Sequence, residues 1–121
     1  MSDERIPKHL IDQRLRNRII EVIESLADGD EAVKLFGFGG YFNWFFDYFP
    51  EDGNFVPLST MSMDETAAAH ELLNQMLNAA EATPQHMSDD EFIATGWPTH
   101  IQPIARRAIR TFLIKGRCAE E

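Results

Sequence analysis

Cysteine is almost missing: Cys118 is the only one in 121 residues. An intrachain disulfide and a Cys-based zinc cluster are therefore excluded, and a reducing compartment fits best. No stretch approaches the eighteen or more consecutive apolar residues of a membrane span, and Met1-Ser2-Asp3-Glu4-Arg5 is too acidic for a signal core. A cytoplasmic protein with no membrane partner is expected. Catalytic signatures are also lacking. No serine lies in a Gly-x-Ser-x-Gly turn, and Gly37-x-Gly39-Gly40 has neither the spacing nor the lysine of a phosphate loop. His9, His70, His86 and His100 never fall at the His-x-x-x-His spacing that puts two ligands on one helical face, so neither a metal nor a cofactor is expected.

Positive charge is scarce and unevenly placed. Eleven Lys and Arg stand against twenty Asp and Glu, a net charge of -9. That sign argues against generic binding to phosphate backbones or anionic lipid. Between Leu35 and Ala105 there is no Lys or Arg, yet ten acidic residues occur there: Asp47, Glu51, Asp52, Asp64, Glu65, Glu71, Glu81, Asp89, Asp90 and Glu91. The cations flank this block, as Lys8, Arg14, Arg16 and Arg18 before it and Arg106, Arg107, Arg110, Lys115 and Arg117 after it. Such an acidic middle either supplies helix N-termini and solubility or meets a basic partner.

What the chain does contain is helical periodicity. Leu10, Ile11, Leu15, Ile19, Val22, Ile23 and Leu26 recur at three-then-four spacing, predicting a helix over about 7–27 with Pro7 in its first turn. Ser62 and Glu65 have capping-box spacing and open a second long helix to about 82, with Ala69, Leu72, Leu73, Met76, Leu77 and Ala80 as its stripe. Ser88 and Glu91 repeat the box before a short helix near 88–95. Ile101, Ile104, Ala105, Ala108, Ile109, Phe112 and Leu113 mark a third long helix. Its regular part is expected over about 102–116, because Trp97-Pro98 reads as a turn and Pro103 as a start. The fold class is thus all-α, a small bundle of three long amphipathic helices plus two short ones, forming one domain over 1–121 with frayed tails at 1–5 and 117–121.

The segment from Leu35 to Phe49 stands apart, with nine aromatics in fifteen residues. A short helix near 40–49 is preferred over a hairpin, because Asn43 and Asp47 are four apart and share a face. So many rings exceed what one buried stripe absorbs in a small chain, so part of 38–49 is expected to face a second copy or another protein, with Tyr41, Trp44, Phe45 and Tyr48 as anchors. The leading functional reading is a non-enzymatic interaction module, adaptor-, antitoxin- or inhibitor-like, most simply a two-fold homodimer. A second reading places a ligand pocket or small active site at Asn43, Asp47, His70 and Asn74. A third is a helix-turn-helix over 88–115 with Thr99, His100 and Gln102 at the start of its recognition helix, a poor fit for an acidic chain. Arg14 with Arg18, and Arg106 with Arg110, lie one turn apart and form candidate anion grips.

Overall fold

A computed structural model describes residues 7–84 and 86–117, with the side chain of His9 left aside; Cys118 and the tail positions 1–5 and 118–121 lie outside the described residues. Five helices and no strand occur among them: α1 (Lys8–Leu26), α2 (Asp30–Tyr48), α3 (Met63–Ala82), α4 (Asp89–Ala94) and α5 (Trp97–Lys115). The all-α bundle follows from the amphipathic stripes, each of which must be covered by another helix. α5 is the hub. It packs on α1, α2, α3 and α4, with its longest seam along α3. One apolar core joins Ile19, Ile20 and Ile23 of α1, Phe45 of α2, Leu72, Leu73 and Met76 of α3, Phe92 of α4, and Ile101 and Phe112 of α5.

Both capping boxes form. Ser62 Oγ accepts from Glu65 N–H at 3.1 Å while Ser62 N–H donates to Glu65 Oε1 at 2.9 Å, and Ser88 with Glu91 repeats this at the start of α4. Each box satisfies backbone donors that the first helical turn leaves unpaired.

Two element boundaries differ from expectation. The aromatic helix is not confined to 40–49; it starts at Asp30, directly after Gly29, and is broken at Gly37 (φ 79°, ψ 164°). Residues 30–36 make too short a turn of helix to show periodicity, though Ala32 and Val33 are buried and Asp30 and Glu31 favour the N-terminus. The break frees Phe38 N–H, which donates to Asp89 Oδ1 at 2.7 Å, so α4 caps the second half of α2. Gly29 (φ 62°) also has a packing reason: a Cβ there would lie 2.9 Å from the Gln102 side chain, whose Nε2 donates to Ala27 O at 3.2 Å.

Likewise α5 begins at Trp97 and not near 102. Pro98 occupies the first turn, where a missing N–H costs nothing. Pro103 is exposed, and so is Thr99, whose carbonyl has no helical donor at Pro103. Beyond its other end, Arg117 pairs with Glu21 and Glu24 at 2.9 Å each, and the rest of the expected tail lies outside the described residues. Leu113, placed on the apolar face by its spacing, is half-exposed.

Candidate interaction surface

The crowding of rings is resolved in two ways. Tyr41, Phe42, Phe45 and Phe49 are buried within one copy of the chain. Phe92 of α4 gathers Phe38, Tyr41 and Phe42 at 5.0–5.3 Å, and Phe45, Phe49 and Phe55 form a stack with spacings of 4.2 and 5.2 Å. Tyr41 and Phe45 are therefore core residues and not interface anchors, since neither presents a ring to a partner. The remaining rings stay partly open. Phe38, Trp44, Phe46 and Tyr48 are half-buried and Phe36 is exposed; Trp44 and Phe36 pair at 5.0 Å.

Helical geometry explains this sorting. Gly39, Asn43 and Asp47 recur every four residues and form the exposed ridge of α2. Residues on the opposite side point into the bundle. Those on the flanks are caught halfway, and a hollow lies along each flank. On the α1 side Leu15, Ile19, Asp47, Tyr48, Phe49 and Val56 are among the residues around a space of about 450 Å³. On the other side Phe38, Phe42, Asn43 and Phe46 of α2, with Glu51 and Ala80, line a groove of about 440 Å³ between α2 and the end of α3. Thr83 and His86 close its far end.

The electrostatics of the two hollows differ. The first is lined by Leu15 and Ile19 of α1 and has Asp47 in its wall. The second is built wholly from the part of the chain that lacks Lys and Arg, with Glu51 in its wall and the exposed Glu81 on the helix turn that supplies Ala80. Aromatic faces carry a negative quadrupole and Glu51 adds a carboxylate to the wall, so this groove suits a segment with both apolar and cationic side chains.

The four residues expected to form a ligand pocket do not converge. Asp47 faces the α1-side hollow, Asn43 the α3-side groove, and His70 a third depression beside Met61 and Met63. His70 meets the edge of Phe55 at 5.6 Å, and Asn74 is simply exposed. These four residues therefore do not form the single pocket expected of them. Among the described residues no group of three or more His, Cys, Asp or Glu could hold a metal ion. Of the residues expected at the start of a recognition helix, Gln102 donates to Ala27 O at 3.2 Å, while Thr99 and His100 are exposed, His100 sharing a hydrogen bond of 3.1 Å with Gln75.

The anion grips fare differently from one another. Arg18 pairs with Glu21 at 3.4 Å, and Arg14 also has a partner within the chain, which leaves α1 no open fork. Arg106 and Arg110 are exposed together on the outer face of α5.

One polar cluster was not anticipated. Arg16, grouped by sequence with the flanking cations, is fully buried. Its guanidinium forks onto Glu65 at 2.7 and 2.8 Å and also donates to Thr60 O, Phe112 O and Gly116 O at 2.9–3.1 Å. Nearby, the buried Asp12 accepts from Ser59 N–H and Oγ at 3.0 and 2.6 Å and from Lys8 Nζ at 3.1 Å. Burial pushes the Glu65 carboxyl up, but the Arg16 fork and the Ser62 N–H outweigh it and hold the group below the ordinary carboxylate range. The Ser59 hydroxyl does the same for Asp12 against the cost of its burial. With all five Arg16 donors used, the cluster fastens α1 to the 59–62 loop, α3 and α5 and offers nothing to a ligand. Only the i, i+4 spacing of Asp12 and Arg16 could have signalled it, and that spacing is equally common on solvated helix faces.

Among the described residues no helix is long and apolar enough to cross a membrane. Comparison with known proteins finds no matching family model, no matching curated protein and no matching solved structure.

Proposed function

We propose that this protein is a non-enzymatic interaction module and that the groove between α2 and the end of α3 receives a segment bearing both apolar and basic side chains. The observation that carries this reading is the coincidence of half-open rings, Phe38 and Phe46, with a wall and rim drawn from a stretch of chain that contains carboxylates and no cation. A core needs dry rings, and these are left wet at one edge. An aromatic anchor site with an acidic rim supplies both the apolar contact that dominates interface energies and the charge that selects the partner.

The test is a titration with a short synthetic amphipathic peptide that carries leucine and arginine one helical turn apart. Binding is expected for the wild-type chain, with weakening as salt rises. Asn43→Arg places a cation on the exposed ridge at the mouth of the groove and should reduce affinity at least about tenfold, equivalent to ~1.4 kcal/mol. A glutamate-for-arginine version of the peptide should not bind. Equal affinity for the two peptides, or no effect of Asn43→Arg, would remove the reading.

A further inference from the structure

We infer that the occupant of this groove is the outer ridge of α5 from a second copy of the same chain. The inference rests on the groove reading above and adds the identity of the partner.

The observation is a surface on α5 with the chemistry the groove requires. Arg106, Arg110 and Leu113 follow one another at four- and three-residue spacing, and Ile114 lies beside them. All four are exposed, Leu113 at 51% and Ile114 at 87% of their full area. Among the described residues no other element covers this isoleucine, although it sits on the helix at the centre of the bundle. Its neighbours Arg107 and Arg117 are already spent on Glu71 and on Glu21 with Glu24, so Arg106 and Arg110 are the cations of the ridge that point outward. The ridge is basic and apolar; the groove is acidic and aromatic. Nowhere else among the described residues do two cations lie beside two large open aliphatic side chains on one helix.

Groove and ridge share no residue, so one copy can engage both at once. Two copies that exchange ridges form a two-fold dimer in which each ridge fills the other's groove; copies that make one such contact at a time grow with concentration into a ring or chain. Because the contact joins opposite charges on a chain of net charge -9, salt should weaken the ridge-to-groove contact while screening the repulsion between copies. Loss of association with salt therefore reports the contact.

Sedimentation velocity over a concentration series decides the matter. The wild-type chain is expected to associate, with an apparent Kd at least about tenfold weaker in Ile114→Asp and in Asn43→Arg. Both positions are exposed, and far-UV circular dichroism with thermal unfolding confirms that the variants fold; Leu113→Glu and Glu51→Lys test the same two surfaces at other positions. The decisive step is mixing. Ile114→Asp keeps an intact groove and Asn43→Arg an intact ridge, so together they should give a 1:1 complex that neither forms alone. A wild-type chain that stays monomeric, association that survives either substitution, or a mixture that fails to pair would overturn the inference. If the synthetic arginine-leucine peptide binds the groove while the chain stays monomeric, the groove reading stands and only the second-copy partner falls. If the peptide fails as well, both fall.

Discussion

At the scale of single residues, the largest energies lie where charge is buried. Among the described residues Glu65 is the sole carboxylate on the Arg16 guanidinium, and both side chains are almost wholly inaccessible. Removing one partner of such a pair leaves the other charged and dry, which costs ~3–5 kcal/mol. Glu65→Ala should therefore lower the unfolding free energy by about that amount in urea titration, part of it through loss of the Ser62 cap. Replacing the pair with well-packed apolar residues should be far milder. Tyr41 presents the opposite case. Its ring is buried against Phe42 and Phe92, yet its hydroxyl has no hydrogen-bond partner among the described residues. Burial, with the Asp30 charge adding to it, pushes that phenol's pKa well up, so it stays neutral at any ordinary pH. Tyr41→Phe removes an unsatisfied polar group without opening a cavity, and should leave stability unchanged or raise it by up to ~1 kcal/mol.

At the scale of the helix, α2 holds two glycines whose roles are opposite. Gly37 has φ 79° and makes the break that lets Asp89 cap the following turns. A Cβ there would meet Asp89 Oδ1 only at 3.8 Å, so the cost of Gly37→Ala is conformational and not steric. A loss of about 1–2 kcal/mol is expected in thermal unfolding. Gly39 lies within the regular helix with open space around it, its nearest contact being Asn43 Nδ2 at 4.0 Å. Gly39→Ala should stabilise by ~0.5–1 kcal/mol, because alanine loses less backbone freedom in a helix. A gain at 37 together with a loss at 39 would contradict this account of the kink. The same helix shows why boundaries misled. Its face was legible from Asn43 and Asp47, while its start was hidden because residues 30–36 carry no stripe of their own. In α5 the prolines suggested a late start, and the helix tolerates them because one sits in its first turn and the other on its wet side.

For the whole molecule, the buried carboxylates couple stability to acid. Asp12 and Glu65 are both held below their ordinary values, so the unfolded chain takes up protons from these groups before the native one does. Stability from both is fully present above the unfolded range, about 4.5 for Glu, and is lost progressively as pH falls through the depressed native values. Tm measured from pH 7 downward should stay level to about pH 5 and then drop, and Asp12→Asn with Glu65→Gln should flatten that drop while lowering the plateau.

The amino-acid pattern alone determined the all-α class, the long amphipathic helices and both capping boxes. Those depend on local spacing: which residues share a face at 3.6 per turn, and which side chains reach a free N–H three positions on. The uneven charge was equally plain, since it needs only counting. Only the tertiary structure decided which rings are dry, that Arg16 is an internal lock, that the four polar candidates face different surfaces, and that Leu113 and Ile114 are left open. Each of these is fixed by what lies across from a residue in space, and a helix stripe names the side that is buried without naming its neighbour.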